Sequence, residues 1–263
     1  MSFNKDTNNG KIISVASGKG GTGKTVTSLN LAMELHSLGK DVTVVDADLE
    51  DPNIGINLGL YSPKSTINKS LENDESLIEA MHIHETGIKL VPASLSINYL
   101  NTNFRSLKDR FKDLGGYVII DCGPGISEKV ISCIDQSDAV VAVTNPMRSA
   151  VSGLVRLTEI VKDMEKDLEG IVVNNLTSKE ITSEEISSIT GYNVLGEIPY
   201  DINVDRSIIN KEPLVKYKPY SKAAIAYKKI AHGLIDEDFE PDLSQHIKRY
   251  TDLFLSKMGL NKQ

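Results

Sequence analysis

Gly18-Lys19-Gly20-Gly21-Thr22-Gly23-Lys24-Thr25 follows the apolar run Ile12–Ala16 and precedes a segment of helical periodicity. It fits G-x-x-x-x-G-K-[ST] without exception. Glycines let backbone N–H groups turn inward around phosphate oxygens, where a Cβ would clash. A helix opening at Thr25 aims its partly positive end at the same place. Lys24 supplies a point charge for β- and γ-phosphates, and the Thr25 hydroxyl suits ligation of Mg²⁺. Gly18, Gly20 and Gly23 also fit G-x-G-x-x-G, the dinucleotide fingerprint, with Asp46 where a ribose-binding acid would sit. Lys24-Thr25 favours the triphosphate, because a dinucleotide pyrophosphate needs neither the lysine nor a metal-binding hydroxyl there.

Outward from the loop, short Val- and Ile-rich runs recur at Ile12–Ala16, Val42–Val45, Ile88–Val91, Tyr117–Ile120, Ala139–Val143, Ile171–Val173 and Val194–Ile198. Unbroken apolar runs suit strands buried on both faces of a parallel sheet. Helical patterns at Thr25–Leu38, Ser106–Leu114, Ser149–Lys166 and Ser183–Ile189 separate many of them. The alternation predicts an α/β fold, one domain with a mostly parallel β-sheet flanked by helices on both faces. Ligands of such sheets bind beyond the carboxyl ends of the strands. Three zones are expected: a polar lead over 1–10, the sheet domain over 11–235, and an acidic linker with a C-terminal helix over 236–263.

The strand-end acids fit the same ligand. Tyr117-Val-Ile-Ile-Asp121 ends a buried run in a carboxylate, followed by Gly123-Pro-Gly125. Beside a phosphate loop, such an aspartate can hold a Mg²⁺ water next to Thr25. The glycines after it allow a segment that senses the γ-phosphate. Asp46-Ala-Asp48 ends the second run, with Asp51, Pro52 and Asn53 following. These acids are either turn formers or a metal-site acid plus a water-positioning acid.

Composition excludes several classes. The 263 residues are 40% hydrophobic and 25% charged, as in a globular protein, and can bury a core without disulfides. No run approaches the roughly 20 apolar residues of a membrane span, and Met1–Gly10 lacks the apolar stretch of a secretory signal. Two cysteines, Cys122 and Cys133, exclude a disulfide framework and a four-cysteine metal site. The expected location is the cytoplasm. A net charge of −7 opposes whole-surface binding of nucleic acid, and 5% aromatics without tryptophan opposes a base-stacking platform. His82-x-His84 reads as a solvated helix end rather than a metal pair.

The residues at this point resemble the MinD/ParA ATPases, P-loop NTPases of three-layer α/β/α architecture. Lys19-Gly-Gly-Thr-Gly-Lys24-Thr25 looks like the deviant Walker A motif of that family, marked by the early Lys19. Val44–Leu49 resembles switch I, and Tyr117–Gly125 resembles Walker B and switch II. Val172-Val-Asn174 and Gly196–Asp201 resemble the late strands whose loops hold adenine. The similarity covers Lys11 to Ile235 and lies nearest archaeal MinD-like proteins.

The resemblance implies a Mg²⁺-dependent ATPase in which ATP joins two subunits face to face and hydrolysis to ADP releases them. Lys19 would then cross to the partner's phosphates, Lys24 would hold its own subunit's, and Asp48 would position water. Asp121 resembles the second-shell Mg²⁺ acid; Thr25 and Asp46 complete the expected metal set. Nucleotide contacts are expected from Gly18, Lys19, Gly20, Gly21, Thr22, Gly23, Lys24, Thr25 and Thr27, with Asn174, Pro199 and Asp201 toward adenine. The expected partners are a second copy and a protein partner or activator, as in cell-division or polar machinery. Partition ATPases that coat DNA and iron-handling relatives are the alternatives, the latter without their late C-x-x-C here.

Leu243, Ile247, Tyr250, Thr251, Phe254, Leu255 and Met258 fall on one helical face. Lys248 to Lys262 carries four basic residues against one acid. MinD proteins carry a C-terminal amphipathic helix that binds membrane on dimerisation, so 243–259 is a candidate for reversible attachment to the inner membrane surface. Docking on the ATPase core or on a partner is the other reading.

Overall fold

Every apolar run expected to be a strand is one in the computed structural model, which describes residues 10–96, 108–176 and 180–240. The strands are β1 (Ile12–Ala16), β2 (Val42–Ala47), β3 (His82–Ile83), β4 (Lys89–Val91), β5 (Tyr117–Cys122), β6 (Ala139–Thr144), β7 (Asp167–Leu176) and β8 (Val194–Pro199). Among the described residues they form one sheet in the order β3-β4-β2-β5-β1-β6-β7-β8. All pairings are parallel except β3 with β4 at the edge.

The helices are α1 (Lys24–Ser37), α2 (Ile54–Asn57), α3 (Ile67–Glu72), α4 (Lys108–Asp113), α5 (Glu128–Gln136), α6 (Arg148–Asp163), α7 (Ser183–Thr190), α8 (Asn203–Ile209), α9 (Leu214–Tyr217) and α10 (Lys222–Gly233). They cover both faces of the sheet. One core joins Ile120, Cys122, Val140 and Ala142 to Cys133, Leu154 and Leu157 of α5 and α6. The other joins Ile13, Val15, Val44 and Ile119 to Leu31, Leu35, Tyr227 and Ile230 of α1 and α10. Side chains along a strand alternate between these cores. Each fully buried Val or Ile contributes roughly 2 kcal/mol through lost contact with water.

Two local differences from the sequence expectation have simple causes. His82 opens the edge strand β3 and His84 follows it, rather than ending a helix. His82 Nε2 contacts the Ser65 carbonyl at 3.0 Å, and His84 Nδ1 contacts Thr86 Oγ1 at 2.9 Å. A two-residue strand leaves no periodic signal. The acidic stretch expected to open as a linker at Asp236 starts by folding back. Glu237 N–H donates to the His232 carbonyl at 3.1 Å, its carboxylate meets Lys40 at 3.0 Å, and Phe239 packs edge-on against His232. The expected helix at 243–259, the lead over 1–9 and the start of the helix expected at Ser106 lie outside the described residues.

Candidate functional site

Gly23 starts α1 in the left-handed region, at φ 89°, and no side chain caps the helix. By contrast, α3, α5, α7 and α10 are capped by the hydroxyls of Thr66, Ser127, Thr182 and Ser221. The first turn of α1 also carries no acid. Its orphan N–H groups, and the positive end of its dipole, therefore face the loop over 18–23 without an internal partner. Gly21, at φ +73°, has open space where a Cβ would stand. This is a cradle lined by backbone donors.

Several contacts fix that loop. Ser17 Oγ donates to the Lys19 carbonyl at 2.7 Å. Asn174, at the carboxyl end of β7, donates from Nδ2 to the Thr22 carbonyl at 2.8 Å. Asn145 Nδ2 in turn donates to the Asn174 carbonyl at 3.1 Å. Lys19 reaches sideways to α6, where its Nζ donates to Ser149 Oγ at 2.9 Å. The Cβ of Pro124 lies 3.5 Å from where a Cβ on Gly20 would be, so the loop after β5 borders the cradle.

The acids converge beside it. The parallel register makes Asp46 of β2 and Asp121 of β5 direct neighbours. Asp121 is buried, and Ser28 Oγ donates to its Oδ1 at 3.0 Å. Its other oxygen, Oδ2, has no hydrogen-bond partner. Burial lifts the Asp121 pKa to about 6, against the lowering influence of the Thr25 hydroxyl, Lys24 and Ser28. Asp46 is pushed well up, first by burial and then by the negative charge of Asp121. Both Asp46 oxygens accept backbone N–H groups, from Asp48 at 3.2 Å and Ile54 at 3.1 Å. Asp48 is partly exposed and raised by burial, while the Asp51 N–H and Lys24 oppose the shift. Its Oδ1 accepts that N–H at 3.1 Å.

An unpaired, desolvated carboxylate oxygen near a cationic side chain and a threonine hydroxyl is what a hydrated divalent cation requires. Thr22 Oγ1 is a second buried atom without a hydrogen-bond partner in this loop. The residues present thus fit a magnesium-bound polyphosphate: backbone N–H groups and Lys24 for phosphate, Thr25 and Asp121 for the metal. Asp46 differs from a plain ligand, since both its oxygens already order the loop over 47–54.

Of the other expected contacts, Thr27 and Asp201 are engaged within the fold. Thr27 is fully buried in α1, with its hydroxyl against the Tyr227 phenol of α10. Pro199 ends β8. Asp201 Oδ1 accepts from Asn203 N at 3.0 Å and Nδ2 at 2.7 Å, which shapes the entry to α8. The sequence reading missed Ser28, Asn145 and Ser149. Ser28 had a readable signal, because it follows Lys24 by four positions on one helix face.

Residues 8–235 match the ParA family model, described as "NUBPL iron-transfer P-loop NTPase". The chain belongs to the ParA family of P-loop NTPases. It is 34% identical to an ATP-binding protein of Methanocaldococcus jannaschii, over 93% of this chain and 94% of that relative. Among solved structures it resembles the cell division ATPase MinD of Pyrococcus furiosus, with a TM-score of 0.81 and 29% identity. That match covers 86% of this chain and 99% of the other. It also resembles the septum site-determining protein MinD of Pyrococcus horikoshii, which was solved with Mg-ADP. There the TM-score is 0.80 at 28% identity, over 90% and 98% of the two chains. Within the ParA family, then, this chain has the MinD fold. Among its described residues no helix is long and apolar enough to cross a membrane.

Proposed function

We propose that this ParA-family protein is an ATP-dependent dimerisation switch of the MinD type, a slow Mg²⁺-dependent ATPase that positions or recruits a partner, as in cell division. The observation that carries the reading is the unpaired Oδ2 of buried Asp121 beside Thr25 and the uncapped start of α1. Bound Mg²⁺ would supply charge neutralisation to the β- and γ-phosphates.

The chain's own residues account for the rest. Thr25 would ligate the metal, and Asp121, with Asp46 behind it, would hold its water. Lys24 and the N–H groups of Gly20 to Thr25 would hold the phosphates. Asp48, on a loop ordered by Asp46, would orient the attacking water, since phosphoryl transfer depends mostly on positioning. Lys19 in this single chain rests on Ser149. In a face-to-face pair it would leave Ser149 and reach the partner's phosphates, as an arginine finger does. The loops bearing Asn174, Pro199 and Asp201 border the adenine end. Residues 243–259 would add reversible attachment to an anionic membrane, two weak helices per dimer binding better than one.

Asp48→Ala tests the switch. The variant is expected to bind ATP, hydrolyse it far more slowly and accumulate as a dimer by light scattering. A variant that stays monomeric with ATP and Mg²⁺ refutes the reading. Co-sedimentation with anionic liposomes, full chain against a truncation before Leu243, tests the tail.

Iron transfer, named in the family description, is the second reading. Against it, Cys122 and Cys133 are both fully buried, and hydrogen bonding to Cys122 together with burial pushes the Cys133 thiol up, which disfavours the thiolate a cluster needs. Anaerobic purification without bound iron would support the switch reading.

A further inference from the structure

Gly153 stands in the interior of α6, where glycine is less favourable than alanine because it loses more backbone freedom. The reason for it lies across the contact. A Cβ on Gly153 would stand 2.6 Å from the Gly18 carbonyl oxygen and 2.8 Å from its carbon. A Cβ on Gly18 would in turn overlap the Gly153 carbonyl. Both surfaces are main chain, so no rotamer change relieves either clash.

The two sides differ in how firmly they are held. Ala150, Val151, Leu154 and Leu157 anchor α6 in the core. On the loop side, Lys19, Gly20 and Gly21 are exposed, and nothing stands within 4 Å of a Cβ on Gly21. The loop is tied by single hydrogen bonds from Ser17 and Asn174 and the helix by a row of buried side chains, so, forced apart, the loop shifts before the helix does. One turn before Gly153, Ser149 also takes the Lys19 ammonium, so consecutive turns of α6 meet consecutive loop residues.

We propose that Gly153 is a positioning residue for the phosphate loop: its bare backbone fixes where Gly18 begins the turn, and any side chain at 153 displaces the loop from the phosphates. The proposal rests on the reading of residues 18–25 as a triphosphate site. It makes α6 a lever on that site, without α6 touching the nucleotide.

The test compares Gly153→Ala with Ser152→Ala, an exposed neighbour on the same helix, by thermal melting without nucleotide and by calorimetric titration with Mg-ATP. Gly153→Ala is expected to forgo the stability that alanine normally brings to a helix interior. Its Mg-ATP affinity should fall about tenfold or more, the scale of one lost hydrogen bond to a charged group. Ser152→Ala should bind as wild type does. A Gly153→Ala protein that melts above wild type, or binds Mg-ATP with unchanged affinity, overturns the proposal. If wild type itself binds no Mg-ATP, the nucleotide reading fails separately, and the melting comparison still decides the contact. If Gly153→Ala does not fold, hydrogen exchange on wild type decides. Mg-ADP should then slow exchange at the α6 amides around 153 as well as in the loop, and protection confined to the loop overturns the proposal.

Discussion

Asn174 and Thr22 are joined by a 2.8 Å hydrogen bond from side-chain amide to main-chain carbonyl, which ties the end of β7 to the phosphate loop 152 residues earlier. The bond uses the Asn174 amide on the loop itself. Asn174→Ala should therefore weaken binding of inorganic tripolyphosphate as well as ATP, each by roughly fivefold, the scale of one net hydrogen bond of about 1 kcal/mol. An asparagine that served adenine alone would leave tripolyphosphate affinity unchanged. Asn174→Asp should be worse than Asn174→Ala, because a carboxylate would face the Thr22 carbonyl.

Lys19 on Ser149 gives a second prediction. Ser149→Ala removes a contact available to the single chain, so it should shift the ATP-dependent dimer to lower protein concentration. Lys19→Ala should bind nucleotide but lose both dimer and turnover. Sedimentation and phosphate-release assays check both; unchanged turnover in Lys19→Ala would falsify the trans role.

The site acids set a pH dependence without nucleotide. Asp121 titrates near 6 when folded and near 3.8 otherwise, so between these values the folded state holds the extra proton. Stability contributed by that proton is full below about 3.8 and lost as pH rises through 6. Asp46, Asp48 and Glu34 are raised too and act with the same sign. Unfolding measured without Mg²⁺ should show a more stable protein at pH 5 than at pH 7.5. Asp121→Asn should remove Asp121's share, at most about 3 kcal/mol from a shift of about two pH units. Saturating Mg-ADP should reverse the trend by favouring the charged acids.

Glu34 of α1 is buried, with Lys228 at 3.8 Å and His232 at 3.9 Å on α10. Desolvation raises the Glu34 pKa, and Lys228, with His232 when its ring is protonated, opposes the shift. Lys228→Met should destabilise by about 1–2 kcal/mol at pH 7.5, because it leaves a buried acid less compensated. Adding Glu34→Gln should recover part of the loss. Denaturant titrations of wild type, Lys228→Met, Glu34→Gln and the double variant give the coupling directly.

The sheet was readable because parallel strands buried on both faces spell unbroken Val and Ile runs, as at Ala139–Val143. The loop was readable because phosphate binding demands particular residue types at fixed spacing. The edge strand at His82–Ile83 was too short to leave a pattern. Asn174 showed its position but not its partner, because the Thr22 carbonyl is a main-chain group that every residue carries. Gly153 and Glu34 were hidden for another reason: each matters through a contact far along the chain, and nothing in the local sequence states which helix lies opposite.

Asp46 and Asp121, side by side on adjacent strands, sit where burial and neighbouring carboxylate charge both oppose ionisation. Two acids crowded out of water keep a proton that ordinary carboxylates would shed. On the proposed reading, a magnesium nucleotide would release that proton as it binds, so its hold would weaken as pH falls, and a variant lacking one acid would fold more firmly and grip its ligand less.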